Sequence, residues 1–241
     1  MSVLQGKIAL VTGASGGIGG AIAGALARSG AQVYLSGRNR DKLESLAAQL
    51  RQTGAVAQPV IADLLRDEDS KRLAASVANG HGRLDVLVHA AGIYDHGRTE
   101  EAPLKMFDQI YATNVRGPYM LTQQVLPLLR KPRGQVVFIN SSVGLYARAG
   151  VSQYAAMHHA FKAIADALRE EVNSDDVRVL SVFSGRTATP IIEMLAAEEG
   201  KPYRPELLLQ PKDIADIVIC ALSLPWTAEV TDISIRPMKK P

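Results

Sequence analysis

The chain is poor in cysteine, in aromatic residues and in long apolar runs, and each shortage excludes something. One cysteine, Cys220, stands among 241 residues. A lone thiol forms no internal disulfide, so a disulfide-stapled framework is excluded. Set in the apolar stretch IADIVICALSL, it is expected to be buried and inert. No apolar run reaches the ~18 residues that a membrane-spanning helix needs. The amino-terminal MSVLQGKIALVTG runs straight into a strand pattern, without the regions of a secretory signal. A soluble, cytoplasmic protein is the expectation. Charge of one sign is scarce too. With 27 Lys and Arg against 24 Asp and Glu, the formal net charge is only +3, and no long basic run suggests a nucleic-acid face. No His, Cys, Asp or Glu cluster has metal-ligand spacing. Aromatics are 5% of the chain while Ala and Gly are abundant, which suits helices packed closely on a sheet.

What the chain does have is alternation. Apolar, β-rich runs are KIALVT (7–12), AQVYLSG (31–37), AVAQPVIAD (55–63), LDVLVHAAG (84–92), GQVVFINSS (134–142), VRVLSVFS (177–184) and EVTDISIR (229–236). Helical patterns separate them, among them IGGAIAGALARSG, DKLESLAAQLRQTG, a long segment over 103–130 and another over 152–173. Strands nearly continuous in Val, Ile and Leu are those buried on both faces of a parallel sheet. Crossover helices of this length make right-handed βαβ units. No linker or repeat interrupts the pattern. The reading is one α/β domain over 1–241, doubly wound, with a seven-stranded, mainly parallel sheet and helices on both faces. Its ligands belong beyond the carboxyl ends of the strands.

TGASGGIG (12–19) joins the first strand to the first helix. Gly13, Gly17 and Gly19 allow a tight turn and a close approach of phosphate to backbone. The helix terminus behind them offers free N–H groups and a positive dipole end. The spacing is TGxxxGxG, and with it the sequence resembles the short-chain dehydrogenase/reductase family nearly end to end. The resemblance implies a Rossmann fold that binds a nicotinamide dinucleotide, with Ser15 and Ile18 also in the cofactor loop. It implies that Asp63, in IADL, bonds the adenine amino group while Leu64 offers its backbone. HAAG (89–92) stands where the family often has NNAG; Ala91 and Gly92 let the cofactor pack on the fourth strand, and His89 is expected in the core.

The second strand ends in Ser36, Gly37 and Arg38, with no acid to hold a ribose 2′-hydroxyl. A guanidinium pairs with a 2′-phosphate, so NADP is expected over NAD. Gly16 takes the position at which many NADP-preferring members carry a second basic residue.

The family's site is made of Asn, Ser, Tyr and Lys. The resemblance places Asn114 at a helix distortion, Tyr154 as proton donor and Ser141, thirteen residues before it, as the group that orients the substrate oxygen. Ser142 is expected to face the other side of the strand. Four residues after Tyr154 the family has lysine; this chain has His158. A lysine would bond the nicotinamide ribose and lower the tyrosine pKa. His158 is expected to bond the ribose and to become cationic below about pH 6.5. Lys162, about 12 Å further along the axis, is too far to substitute. Thr189, in SGRTAT, takes the carboxamide-bonding position, with Ser184 replacing a proline. The segment 190–211, with Met194, Leu195, Tyr203 and Leu207–Leu209, is expected to form a substrate lid. Tyr94, His96 and Tyr146 lie on loops facing the site and carry no assigned role.

Two readings follow. One is an oxidoreductase, NADP-preferring, acting on a small carbonyl or alcohol. The other is a degenerate member that binds NADP as a sensor or partner subunit. In either case the resemblance implies a homodimer or homotetramer built partly from the helices at 103–130 and 152–173.

Overall fold

The computed structural model describes residues 4–239. Its strands are β1 (Ile8–Thr12), β2 (Gln32–Gly37), β3 (Ala57–Ile61), β4 (Val86–His89), β5 (Gln135–Ser141), β6 (Arg178–Ser184) and β7 (Asp232–Ile235). They form one sheet in the order β3-β2-β1-β4-β5-β6-β7, and every pair is parallel.

Alternation along each strand decides the layers. Ala9 and Val11 of β1 face one core, with α1 (Gly17–Arg28), α2 (Arg40–Gln52) and α8 (Pro211–Leu222). Ile8 and Leu10 face the other, with α3 (Asp67–His81), α5 (Gly117–Arg130) and α6 (Ser152–Val172). Successive strand residues must point to opposite faces, so one sheet supports two apolar layers. Burial on both faces holds for the inner strands. It fails at the edges: β7 alternates exposed and half-buried, and most of β3 is half-buried or exposed.

Local signals set the helix ends. The Asn39 Oδ1 accepts from Lys42 N–H at 2.9 Å and caps α2. Three acids open α3, and Gly82 closes it at φ 62°. Gln210 and Asp213 bond reciprocally at the start of α8. That helix buries Ile214, Ala215, Val218, Ala221 and Leu222. Cys220 falls on the opposite stripe with Asp216, four residues earlier, and is exposed. The apolar run around it suggested a buried thiol; the helical period, not the run, decides.

The segment 103–130 is not one helix. α4 (Leu104–Tyr111) passes into a π-helical turn at Ala112–Arg116 before α5 begins. Pro118 has no N–H for the carbonyl of Asn114, four residues back, so the α ladder must break near there. α7 (Pro190–Glu198) and a 3₁₀ turn at Pro205–Leu207 lie between β6 and α8. No described helix is long and apolar enough to cross a membrane.

Phe138 anchors the second core. It is fully buried, its ring 4.8 Å from that of Phe161 in an edge-to-face pair. Phe138→Ala should cost about 3–5 kcal/mol, read as a lower denaturation midpoint at constant slope in a urea melt. A loss under about 1 kcal/mol would mean that the sheet–α6 contact is not where this layer is held.

Candidate active site

At the centre of the sheet β1 pairs with β2 on one side and β4 on the other. The chain winds outward from β1 in both directions, so the loops after β1 and β4 diverge. A cleft of about 720 Å³ opens there along the carboxyl ends of the strands.

Thr12 fastens its floor. Its Oγ1 accepts from the N–H groups of Ala90 and Ala91 at 3.2 and 3.4 Å and donates to the Val88 carbonyl at 3.3 Å. The next residue must be glycine: Gly13 has φ 68°, and a Cβ there would lie 2.5 Å from the Ala90 oxygen. A Cβ on Gly19 would lie 2.3 Å from the Gly13 oxygen. The loop is thus drawn against both β4 and α1. Gly16 ends it as the α1 N-cap, with no side chain capping the helix. The first-turn N–H groups are left to a ligand. Gly13, Ser15, Gly17, Ile18 and Gly19 all line the cleft.

Arg38, exposed at the end of β2, lines the same end. So does Lys42, one turn into α2, a second cation that the sequence reading missed. Asn39, which as N-cap sets Lys42 in the first helical turn, was its signal. Asp63 and Leu64 follow β3; Asp63 Oδ1 accepts from the Leu65 N–H at 3.1 Å and braces its own turn. Ala91 and Gly92 continue β4 into the cleft wall. His89 is 1% exposed, bonds Thr122 at 2.8 Å and sits in the core, where burial pushes its pKa down to about 3.

The opposite end of the cleft carries the side chains with proton chemistry. Asn114, in the π turn, is clamped to the backbone of Ile93. It accepts from the Ile93 N–H and donates to the Ile93 carbonyl, both at 2.9 Å. Ser141 is the last residue of β5 and lines the cleft beside Tyr154; its Oγ accepts from the Val143 N–H at 3.4 Å. Ser142 lines the cleft as well, against the alternation expected for a strand. The strand ends at Ser141 and a 3₁₀ turn begins at Ser142, so the period of two no longer applies.

Tyr154 and His158 occupy one face of α6, ring centroids 4.2 Å apart, with the Tyr94 ring 4.9 Å from Tyr154 on another side. Loss of hydration raises the Tyr154 pKa to about 12, with the Ser141 hydroxyl opposing the rise. His158 is 6% exposed. Its Nδ1 meets the Asn140 Oδ1 at 2.6 Å, and its Nε2 is buried without a partner. Burial pushes its pKa down to about 4. The imidazole therefore stays neutral well below pH 6.5, a correction to the cationic state expected there from an ordinary histidine. Lys162 is no substitute: it pairs with Asp166 at 2.5 Å. Proton transfer from Tyr154 to His158 is disfavoured as well. Burial favours the neutral form of both rings, which opposes that transfer.

Thr189 lines the cleft at the start of α7, followed by Ile191, Ile192, Leu195 and Glu199. Leu195 is buried, whereas Met194 is 51% exposed and lies outside the cleft wall. Tyr94 and His96 line the wall; Tyr146 does not, and is exposed. Arg148 and Arg186 also face the cleft, and neither was anticipated. The described residues contain no group of His, Cys, Asp and Glu that could hold a metal ion.

The glycine loop, the uncapped helix terminus and the unpartnered Nε2 fit a dinucleotide laid across the sheet. The comparisons agree on the class. The family of short chain dehydrogenases matches residues 7–200. An uncharacterized oxidoreductase of Staphylococcus aureus strain MRSA252 is 32% identical over 239 residues, covering 99% of this chain and all of its own. The chain belongs to the short chain dehydrogenase family. Among solved structures, the alcohol dehydrogenase of the archaeon Thermococcus sibiricus, complexed with 5-hydroxy-NADP, superposes with a TM-score of 0.89 at 29% identity, covering 98% of this chain and 99% of that one. A metagenomic short-chain oxidoreductase in complex with NADP gives 0.85 at 29%, covering 99% and 100%.

The buried phenol yields a direct test. In ultraviolet difference titration against Tyr154→Phe, Tyr154 should remain protonated at pH 10, the value at which an ordinary phenol is half ionised. Ser141→Ala should push it higher still, because the Ser141 hydroxyl opposes the rise that burial causes. A phenolate already formed by pH 9 would show that another group stabilises its charge.

Proposed function

We propose that the protein is an NADP-preferring oxidoreductase that reduces a carbonyl to a secondary alcohol. The observation that carries this reading is that Tyr154 and Ser141 line one end of a cleft whose other end presents a glycine loop and two cations. When bound, the reduced nicotinamide supplies a hydride to the carbonyl carbon. The N–H groups at the start of α1 hold the phosphates, and Asp63 and Leu64 meet the adenine. Arg38 and Lys42 face the 2′-phosphate, which is the support for NADP over NAD. Thr189 takes the carboxamide, and Ala91 and Gly92 let the cofactor lie on β4. Ser141 orients the carbonyl oxygen, and Tyr154 gives it a proton. Asn114, held rigidly by Ile93, keeps the π turn and the wall of the site in place. The segment 190–211 closes over the substrate.

One observation favours a second reading. With His158 neutral, no fixed cation lowers the tyrosine pKa, and a protein that only senses or carries NADP would need none. His158→Lys separates the two. For an enzyme, the restored charge should raise turnover about tenfold to a hundredfold, one to two pKa units of tuning. A variant that binds NADPH and stays inert across a broad carbonyl panel would leave the binding-protein reading standing.

Cofactor choice is tested by calorimetry. NADPH should bind more tightly than NADH, and Arg38→Asp should reverse the order; equal affinities would return Arg38 to the role of a surface residue. The pH profile tests direction. Reduction needs the phenol protonated, so it should be level through neutrality. Oxidation needs the phenolate, so its rate should climb about tenfold per pH unit in the alkaline range. An oxidation limb flat by pH 7 would refute the assignment of Tyr154.

Leu104, Phe107 and Tyr111 share an exposed face of α4, and Tyr119 of α5 is exposed as well. This supports assembly as a homodimer or homotetramer.

A further inference from the structure

The amide of Asn140 has one consistent orientation. Its Oδ1 lies 2.7 Å from the Ser141 backbone nitrogen, and its Nδ2 lies 3.2 Å from the His158 carbonyl oxygen. An N–H needs an acceptor and a carbonyl needs a donor, so both contacts demand the same rotamer. Oδ1 is therefore an acceptor where it meets His158 Nδ1 at 2.6 Å. An amide oxygen has no proton to give, so the hydrogen of that bond belongs to Nδ1. A neutral imidazole carries one N–H, which leaves a bare lone pair on Nε2. That atom is buried and without a partner, on a side chain that lines the cleft.

We propose that Asn140 is a positioning residue that fixes His158 as its Nδ1–H tautomer, so that Nε2 accepts a hydrogen bond from a hydroxyl of the nicotinamide ribose. The proposal rests on the dinucleotide reading above. Where the family resemblance implies an ammonium that can only donate, this chain presents an atom that can only accept. A ribose hydroxyl serves either, since it turns its proton toward a lone pair or its own lone pair toward a donor. The Tyr154 ring packs edge-on against the imidazole, yet no group of the protein donates to Nε2. The ligand is left to satisfy Nε2, which otherwise carries the cost of a buried unpaired polar atom. Asn140 and His158 thus act as a pair: the amide on β5 gives the imidazole on α6 its polarity.

The test reads the ring nitrogens directly. Nitrogen–proton correlation spectra of isotopically labelled protein at neutral pH distinguish a protonated ring nitrogen from a lone-pair one, with His158→Gln supplying the assignment. The expected result is a protonated Nδ1 and a bare Nε2. Saturating NADPH should leave Nδ1 protonated and move the Nε2 signal toward that of a hydrogen-bonded acceptor. A protonated Nε2, or an Nε2 signal that ignores NADPH, overturns the proposal. Asn140→Ala should mix the tautomers and weaken NADPH binding about threefold to tenfold, the worth of one net hydrogen bond. A folded Asn140→Ala protein with unchanged affinity also overturns it; should that variant not fold, the wild-type spectra alone decide. Failure of the dinucleotide reading looks different. Calorimetry on the wild type would then show no NADPH binding, which removes the ribose contact, while the spectrum without ligand still reports whether Asn140 holds the ring.

Discussion

The pairing of β1 with both β2 and β4 is the constraint from which the rest follows. Parallel strands need crossovers, and right-handed crossovers from a central strand send helices to both faces. The reversal of winding at β1 leaves a gap between two loops that nothing in the sheet can fill. Thr12 sits at the lip of that gap and binds the backbone after β4 through its hydroxyl. Gly13 and Gly19 then bring the loop so near β4 and α1 that no side chain fits at either position. The same close approach that makes the floor rigid leaves backbone N–H groups of α1 facing the cleft. The cofactor end of the site therefore follows from sheet topology and is built largely from backbone.

The other end depends on side chains, and there the sequence was a less complete guide. Strand positions were legible because Val, Ile and Leu runs of that length leave few alternatives. The glycine loop was legible because its spacing sits between a strand and a helix. Asn114, Ser141, Tyr154 and His158 were legible through family resemblance, and the structure brings all four to one cleft. Cys220 misled because composition says how apolar a segment is, while the helical stripe says which residue is covered. Ser142 misled because alternation was carried one residue beyond the end of β5. Asn140 passed as an ordinary strand residue. Its meaning arises only when β5 and α6 are packed together, eighteen residues apart in sequence, and no local pattern encodes that contact.

The ionisation of the site shows how tertiary burial reorders residue chemistry. An isolated histidine titrates near 6.5 and an isolated tyrosine near 10. In this cleft both move toward their neutral forms, His158 to about 4 and Tyr154 to about 12. The causes are the same: little water reaches either ring, and no opposite charge replaces it. The result is an uncharged Tyr154–His158 pair where the family resemblance implies a cation beside the tyrosine. An acid that holds its proton firmly is ready to give it at every physiological pH, but gains nothing as a base. On the proposed reading, the driving force for transfer to a carbonyl oxygen comes from the developing alkoxide, which is a stronger base than phenolate, and from Ser141 at that oxygen. Reduction satisfies both conditions. Oxidation, on the same reading, begins with the phenolate that this environment disfavours most, which is the physical ground for proposing reduction as the favoured direction.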